Sequence, residues 1–390
     1  MPLLRPYRRW WSLWILMVLC IPLLLQVAFG QASSRVSTDE RRALSRLPAP
    51  PTGIATLKRY PRELDKYLDD HFGGRSDLLD LNNRLRFALR SPTTTRAAYG
   101  KDDWLFYTDE QVMQQATGEQ MRGDAIAYLA GLTAEMQSLL NADSNEFYAA
   151  LMPNTQSIHR EHLPDWARPA PASTEYDLFL AEMRRVGVTS VDLRVPLRAA
   201  ARQTSVYRKT DSHWNNYGAL LAFNTLVAAT SRAEWAIAPE VALGARQPVP
   251  AGDLARMLGI SSLVTDDDFG WKLPDLRDRN HEWGRNSQGS YEMTGLGNGG
   301  TVLVLGDSFS RGFLRPLLGR SASRLVWMDH RNCRFDWAEL ERFDPDVVYF
   351  LMVERAAASC LGNRPQHMPA PGSAQVRALR RETQPFTGLR

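Results

Sequence analysis

The amino-acid sequence predicts an α/β fold in which a mostly parallel sheet is flanked by helices and is preceded by an N-terminal transmembrane helix. From residue 147 onward, short apolar segments rich in β-branched residues alternate with segments of helical periodicity, which is typical of a parallel sheet covered on both faces. The composition is that of a globular protein with a large core, because 44% of the 390 residues are hydrophobic and 23% are charged.

The N-terminal segment is long enough to span a bilayer. Residues 10–29, WWSLWILMVLCIPLLLQVAF, contain no charged side chain, and Arg5, Arg8 and Arg9 precede them. Positive side chains next to a span remain in the cytoplasm, so we expect residues 1–30 to form a single anchor and the rest of the chain to lie outside. A cleaved signal peptide is the alternative, although this apolar segment is longer than the usual h-region.

The remaining segments are assigned in chain order. Residues 31–53 are polar and end in a proline-rich stretch, which indicates a linker. Residues 54–145 are expected to be mainly helical, and residues 54–361 to form one domain. We predict strands at residues 147–152, 188–193, 301–305, 324–328 and 346–351, and helices around residues 176–186, 216–230, 309–319 and 336–342. Residues 232–300 are expected to form a long excursion over the sheet, and residues 362–390 an extended or disordered tail.

The charge balance argues against a nucleic-acid partner. Lys and Arg number 47 against 43 Asp and Glu, which gives a formal net charge of +4 without long runs of one sign. Binding to nucleic acid requires a concentrated basic stripe, and none is visible. The small positive excess suits an anionic polymer or a membrane surface.

Two of the three cysteines lie beyond the predicted anchor. In an oxidising compartment, Cys333 and Cys360 can form a disulfide. Two unpaired buried thiols are the alternative.

Ser308 follows a predicted strand directly, in the segment TVLVLGDSFSRGFL (residues 301–314). Ligands of parallel sheets bind beyond the carboxyl ends of the strands, where Asn154 and Arg331 also lie. A nucleophilic serine requires a base, however, and no histidine occurs within twenty residues of Ser308. These residues alone leave Ser308 either as a nucleophile or as a helix cap.

A candidate base lies in the segment YRKTDSHWNNYG (residues 207–218). Asp211 and His213 are two positions apart, so on an extended segment both side chains point to the same face. The carboxylate can then fix the imidazole tautomer, and Trp214 is expected to wall the pocket. A locally bonded loop histidine and a metal site are the alternatives, but the chain has few cysteines and no His-x-x-x-His pair.

Together these motifs resemble the SGNH hydrolase-like exopolysaccharide O-acetylation proteins of the AlgJ/AlgX type. The resemblance is carried by Gly306-Asp307-Ser308-Phe309 and by Asp211-Ser212-His213-Trp214, and it covers roughly residues 60–356. Further matching segments are residues 99–110, 152–165, 252–260 and 344–356. The AlgX type carries a carbohydrate-binding β-domain, for which no room remains after residue 356. The shorter, membrane-anchored AlgJ type is therefore expected to be the closer match. Thr155 departs from the pattern, since a lysine is expected there.

The resemblance implies an SGNH hydrolase-like fold and acetyl transfer to an alginate-like or cellulose-like exopolysaccharide. It implies a location at the bacterial inner membrane with the catalytic domain in the periplasm. The implied partners are a multi-pass membrane O-acyltransferase that supplies acetyl and other polysaccharide-modification proteins. No cofactor and no metal are expected.

The residues suggest a division of roles in such a reaction. Ser308 would attack the acetyl donor, His213 would take its proton and Asp211 would stabilise the imidazolium. Arg331, Asn154 and the backbone N–H of Ser308 are the candidate oxyanion donors, although Arg331 is equally suited to a surface ion pair. A polysaccharide acetyl-esterase would use the same residues. A non-catalytic polysaccharide-binding scaffold would not require them.

Overall fold

The computed structural model describes residues 45–71, 75–92, 94–167, 173–283 and 289–370, together with positions 10, 11, 14, 17, 36, 37, 42 and 43. These residues fall into two compact units. The first consists of Met1–Thr93 and Leu258–Leu263, and the second of Thr94–Met257 and Val264–Arg390. The limits expected for the anchor, the linker and the 54–361 domain stay predictions.

Short strands and helices alternate along the described chain. The strands are β1 (Val36–Ser37), β2 (Arg42–Ala43), β3 (Ala97–Tyr99), β4 (Leu105–Tyr107), β5 (Glu146–Met152), β6 (Leu243–Pro250), β7 (Thr265–Trp271), β8 (Asn280–Trp283), β9 (Ser290–Thr294), β10 (Thr301–Gly306), β11 (Arg324–Asp329) and β12 (Val347–Val353). The α-helices are Ile54–His71, Arg75–Ala88, Val112–Thr117, Gly123–Ala142, Thr155–Ile158, Glu175–Arg185, Arg194–Ala201, Asn216–Ala228, Pro239–Ala242, Asp253–Met257, Ser308–Arg311, Arg315–Ser321 and Trp337–Arg342. The 3-10 helices are Arg160–His162, Ala233–Trp235, Arg277–Arg279, Arg331–Cys333 and Glu354–Cys360.

The first unit contains the two long helices Ile54–His71 and Arg75–Ala88. Its glycine at 259 has a left-handed backbone with a φ of +70°, and a Cβ atom there would lie 2.5 Å from Asn83 Nδ2. Both the backbone and the close approach therefore favour glycine at this position.

A six-stranded sheet organises the second unit, in the order β5-β12-β10-β11-β9-β8. The first four strands are parallel to one another, and β9 and β8 are added antiparallel. All seven residues of β12 are buried, as expected for a central strand with helices on both faces. The fold is therefore α/β with a mixed sheet.

Four of the five predicted strands are confirmed, within two residues at each end, as β5, β10, β11 and β12. The prediction of a strand at residues 188–193 is wrong. Only Ser190 forms a bridge there, to Ala149 at the edge of the sheet. The chain then turns into the helix Arg194–Ala201, because the Asp192 carboxylate accepts the backbone N–H of Arg194 at 2.9 Å.

The region from residue 232 to residue 300 differs from the expected excursion. It contains the antiparallel pair β6–β7 and the strands β8 and β9, which extend the main sheet. These strands carry many polar residues and little apolar periodicity, which is why the sequence pattern did not indicate them. The single helix expected around residues 309–319 is two helices, Ser308–Arg311 and Arg315–Ser321.

Residues 362–370 pack within the second unit and form no regular helix or strand, so of the two expected states, extended or disordered, the described part of the tail is not disordered. Tyr128 donates a hydrogen bond to the carbonyl of Asn363 at 2.8 Å, and Arg364 pairs with Glu135. Met368 is only 9% exposed and belongs to the hydrophobic core. The rest of the predicted tail lies outside the described residues.

The predicted membrane span, residues 10–29, lies almost entirely outside the described residues. Within the described part of the chain, no helix combines the length and the hydropathy that crossing a bilayer requires.

Cys333 and Cys360 form a disulfide, with a Cα–Cα distance of 5.2 Å. Both cysteines are fully buried. The bond joins the 3-10 turn after β11 to the 3-10 helix after β12, and it therefore ties together two segments at the carboxyl edge of the sheet.

Candidate active site

Ser308 lies at the carboxyl edge of the sheet, where β10 turns sharply into the helix Ser308–Arg311. A Cβ atom at Gly306 would lie 2.0 Å from Ser310 Oγ, so the turn requires glycine there. Asp307 caps the helix, because its carboxylate accepts the backbone N–H of Phe309 at 2.9 Å. The serine itself is therefore not the cap, and its half-buried side chain is available for other contacts.

The carboxylate of Asp307 also fixes the neighbouring strand end. It accepts the backbone N–H of Val353, the last residue of β12, at 2.7 Å. Burial alone would raise the pKa of Asp307, but His330, 3.6 Å away, and the two backbone N–H groups hold the pKa below its ordinary value. Asp307 is thus an ionised carboxylate that holds the nucleophile turn against β12.

A continuous chain of contacts joins Ser308 to a histidine and an aspartate. Ser308 Oγ lies 2.9 Å from His213 Nε2, and His213 Nδ1 lies 2.7 Å from Asp211 Oδ1. Burial opposes the charged form of Asp211, but the hydrogen bonds to His213 and the charge of Arg208 lower its pKa well below the usual range. The structure thus brings together the three residues that the sequence analysis singled out.

Local hydrogen bonds explain how the segment around His213 is held. The backbone N–H of His213 donates to Asp211 Oδ1 at 3.1 Å, which keeps the two side chains on one side of a tight turn. Asp266 accepts the backbone N–H and the hydroxyl of Thr210 at 2.8 and 2.6 Å. Asn215 then caps the helix Asn216–Ala228 by accepting the N–H of Gly218 at 2.9 Å.

Asp253 is a second carboxylate beside the histidine, and the sequence analysis missed it. Its Oδ2 atom lies 3.7 Å from His213 Nδ1 and accepts the hydroxyl of Ser212 at 2.6 Å. Its backbone N–H donates to Asp211 Oδ2 at 3.2 Å. A Cβ atom at Gly252 would lie 2.4 Å from the Cβ of Asp211, so only glycine allows this close approach. The Gly252-Asp253 pair, inside one of the segments that resembled the family, was the available signal.

Trp214 does not wall the pocket, which corrects the sequence-based expectation. Its side chain is completely buried, and its indole Nε1 donates to the carbonyl of Phe309 at 3.1 Å. The ring packs edge-on against Phe309 at a centroid distance of 5.4 Å. Trp214 therefore supports the helix of Ser308 from the protein interior.

A cavity of about 590 Å³ opens beside Ser308. Most of the residues that line it are polar or charged, and the lining comprises Glu110, Gln111, Arg122, Asp307, Ser308, Asp329, His330, Asn332, Val353, Arg355, Ala356, Ala358 and Ser359. Such a lining suits a hydroxyl-rich ligand better than an apolar one.

Arg355 is a cation in this cavity that the sequence analysis did not name as a site residue. Its guanidinium lies 5.4 Å from the ring centre of Phe309 and 5.2 Å from that of Tyr107. Its Nη1 atom donates to Asn154 Oδ1 at 3.3 Å. The arginine thus sits between the residue after Ser308 and a predicted oxyanion donor.

The two side chains proposed as oxyanion donors have different positions. Asn154 is 1% exposed, and within the described chain its Nδ2 atom has no hydrogen-bond partner. Its backbone N–H donates to Glu354 at 2.8 Å. Arg331 is exposed and does not line the cavity, because residues 331–333 form a left-handed turn in which Asn332 faces the cavity instead.

The carboxylates around His213 could also be considered as metal ligands, since Asp211, His213 and Asp253 offer ligand atoms within 4.8 Å of one another. The imidazole is, however, engaged on both sides, at 2.7 Å by Asp211 and at 2.9 Å by Ser308. These are hydrogen-bond distances, and the arrangement fits a proton relay better than a metal site.

Residues 97–337, more than half of the chain, match the family described as SGNH hydrolase-like domain, acetyltransferase AlgX. The chain is 31% identical over 177 residues to "Probable alginate O-acetylase AlgJ" of Pseudomonas syringae pv. tomato, a match that covers 45% of this chain and 43% of that protein. It is 35% identical over 123 residues to the protein of the same name from Pseudomonas aeruginosa, covering 31% of this chain and 29% of the relative. The matches thus span less than half the length of these curated relatives.

Among solved structures, the chain is similar to the O-acetyltransferase domain of Pseudomonas putida AlgJ, with a TM-score of 0.46 and 20% identity over 73% of this chain and 99% of that domain. It is also similar to Bacillus cereus PatB1, with a TM-score of 0.47 and 16% identity over 66% of this chain and 95% of that one.

Proposed function

Because the chain belongs to the SGNH hydrolase-like family described as acetyltransferase AlgX, we propose that it is an O-acetyltransferase that modifies an exopolysaccharide outside the cytoplasm. The observation that carries the proposal is the contact chain from Ser308 through His213 to Asp211, at 2.9 and 2.7 Å, beside a polar cavity. The names of the similar relatives, alginate O-acetylases, support the substrate class.

In the first half of the proposed reaction, Ser308 becomes acetylated. Its Oγ attacks the carbonyl carbon of the acetyl donor while the hydroxyl proton passes to His213 Nε2. Asp211, which is ionised, stabilises the imidazolium and holds the tautomer that leaves Nε2 free to accept. The tetrahedral intermediate collapses, and the leaving group takes the proton from His213.

In the second half, the acetyl group passes to the polymer. A sugar hydroxyl attacks the acetyl-serine and gives its proton to His213, because such hydroxyls are weak nucleophiles at neutral pH. The bond between acetyl and Ser308 Oγ breaks, and the serine recovers its proton from His213. The products are the acetylated sugar and the free enzyme.

Two donors at the cavity are available for the oxyanion that forms in both halves. The backbone N–H of Ser308 opens a helix, where the first N–H groups have no intrahelical acceptor. Arg355 also lines the cavity, and it donates to Oδ1 of the buried Asn154, which does not line the cavity. One such donor typically lowers the barrier by about 3 kcal/mol. Arg355 therefore replaces Arg331 as the arginine that is proposed to stabilise the oxyanion.

The cellular setting is part of the same proposal. The apolar segment with its preceding arginines supports an anchor in the bacterial inner membrane, with the catalytic unit in the periplasm. The resemblance to the AlgJ/AlgX type supports a multi-pass membrane O-acyltransferase that supplies acetyl, and other polysaccharide-modification proteins, as partners.

The decisive experiment incubates the full chain, purified in detergent, with an activated acetyl ester and separate panels of uronate and neutral glucan oligosaccharides. Mass spectrometry should detect an acetyl group on Ser308 without acceptor, and on one class of oligosaccharide with acceptor. Ser308→Ala should give neither product.

The same experiment distinguishes the alternatives. Release of acetate with every oligosaccharide, and no acetylated sugar, would assign the chain as an acetyl-esterase. Absence of both acetyl-serine and acetate release, together with oligosaccharide binding, would assign it as a scaffold and refute the proposal.

A further inference from the structure

A cluster of two histidines and one glutamate in the second unit lies apart from the residues that line the cavity. His159, Glu161 and His162 offer ligand atoms that all lie within 4.8 Å of one another. We propose that these residues form a zinc site, with His159 Nδ1, Glu161 Oε1 and His162 Nε2 as ligands and water completing the coordination. The proposal does not depend on acetyl transfer, because none of the three residues lines the cavity beside Ser308.

The two separations from the Glu161 carboxylate to the imidazole nitrogens fit a tetrahedral ion. Glu161 Oε1 lies 3.4 Å from His159 Nδ1 and 3.5 Å from His162 Nε2. These distances are long for hydrogen bonds, which usually fall below about 3.2 Å. Two ligands of a tetrahedral zinc ion, each about 2.0–2.1 Å from the metal, lie about 3.3 Å apart. His213 and Asp211, by comparison, are 2.7 Å apart, which is the distance of a hydrogen-bonded pair. The longer distances around Glu161 are those expected between the ligands of one ion.

Asp102 prepares His162 to act as a ligand. Its Oδ2 atom lies 2.8 Å from His162 Nδ1, so the ring donates its Nδ1–H to the carboxylate and leaves the lone pair of Nε2 facing Glu161. A carboxylate behind a ligating histidine is the common support of zinc sites. Asp102 has a φ of 52°, in the left-handed region, and this turn brings its carboxylate to the ring.

His159 is held in a different way. Its side chain is 2% exposed, and the ring of Trp104 packs against its imidazole at a centroid distance of 4.2 Å. Glu161 is 57% exposed, so its carboxylate provides the open side through which an ion can enter.

The nature of the ligands selects the metal class. Two imidazole nitrogens and one carboxylate oxygen suit zinc, whereas calcium and magnesium prefer oxygen ligands alone.

Trp104 lies against both imidazoles, and its ring centre is 4.2 Å from that of His159 and 5.1 Å from that of His162. A bound ion would thus fix the turn at residues 159–162 against the loop that carries Asp102 and Trp104.

The test measures zinc bound to the full chain in detergent after loading with zinc and exhaustive dialysis against metal-free buffer. Elemental analysis should give close to one zinc per chain, and cobalt substitution should give the intense visible absorption of a tetrahedral site. Glu161→Gln and His162→Ala should each reduce the bound zinc at least tenfold. Asp102→Asn, which suits the same backbone conformation, should weaken zinc affinity roughly 10- to 100-fold.

Two controls make the outcome decisive. His367→Ala removes an exposed histidine that is paired with Asp336 at 2.9 Å, and it should leave the zinc content unchanged. His213→Ala tests the other ligand-capable group and should also retain zinc. Three outcomes would each overturn the proposal. The first is less than a tenth of a zinc per chain in the unmodified protein, and the second is undiminished zinc in Glu161→Gln and His162→Ala. The third is loss of zinc in His213→Ala. Circular dichroism of Glu161→Gln, whose side chain is largely exposed, separates loss of zinc from loss of folding.

Discussion

His213 Nε2 lies 2.9 Å from Ser308 Oγ, although 95 residues separate the two in the chain. The contact exists because Asp307 fixes the turn after β10 to the end of β12 and because Trp214, the neighbour of His213, donates to the carbonyl of Phe309. The residues adjacent to the pair therefore hold it from both sides, and the two side chains need not reorganise before they exchange a proton.

The first prediction concerns the unit formed by these side chains. Ser308→Ala, His213→Ala and the double variant should lose similar activity toward an activated acetyl ester, because members of such a unit do not act additively. Asp211→Asn should lose roughly one to two orders of magnitude less. Asp253, which lies 3.7 Å from His213 Nδ1 in the unmodified protein, should partly orient the ring in that variant. Steady-state kcat measures these losses. If the loss in the double variant equals the product of the fold-losses in the two single variants, Ser308 and His213 do not act as one unit.

The second prediction compares two arginines. Arg355→Ala should lower kcat/KM for the acetyl ester by about 10²-fold, because it removes a cation from the cavity beside Ser308. Arg331→Ala is the matched control and should change kcat/KM little, since that side chain does not line the cavity. A larger loss in the Arg331 variant would return the oxyanion role to the arginine that the sequence first suggested.

The third prediction concerns stability. The Cys333–Cys360 disulfide closes a loop with a sequence separation of 27, for which chain entropy gives about 3.5 kcal/mol of stabilisation. The double change Cys333→Ala and Cys360→Ala should lower the free energy of unfolding in urea by about that amount. Reduction of the unmodified protein should have a similar effect, and it should leave the double variant unchanged. An effect of the reductant on the double variant would show that another bond is responsible.

Sequence reasoning identified the parts of the site that are local in the chain. Asp211 and His213 share a segment, and Ser308 follows an apolar strand whose β-branched residues indicate that the strand is buried. Asp253 and Arg355 were missed because their proximity depends on how separate segments meet, as in the close approach of Gly252 to Asp211. Trp214 was assigned to the pocket because a sequence does not reveal on which side of a site a buried aromatic ring packs.

The fold was predicted to the same extent and for the same reason. The central strands β10 and β12 carry continuous apolar runs, whereas β8 (NHEW) and β9 (SYEMT) are short and contain several polar residues. β8 is the edge strand of the sheet, and β9 lies between β11 and β8. An edge strand gains less from burial, so its sequence is less constrained by it. Their antiparallel addition is a consequence of tertiary packing.

The last prediction concerns acid stability and the helix Glu175–Arg185. At its start, Asp177 accepts the N–H and the hydroxyl of Thr174 at 2.8 and 2.9 Å and pairs with the buried Arg194 at 2.7 Å. Burial alone would raise the pKa of Asp177, but these partners lower it to about 2. Since the folded pKa is lower than the unfolded one, the stabilisation is present at neutral pH and is lost as the pH falls from about 4 to about 2.

Asp177→Asn should therefore lower the free energy of unfolding by roughly 1 kcal/mol at pH 7. This value allows for the partial exposure of the carboxylate, because solvent weakens the ion pair. The difference from the unmodified protein should vanish near pH 2. Asp124→Asn, an exposed aspartate in the first turn of Gly123–Ala142, is the control. Urea unfolding at several pH values measures both variants, and a difference for Asp177→Asn that persists unchanged at pH 2 would show that packing, and not charge, accounts for its effect.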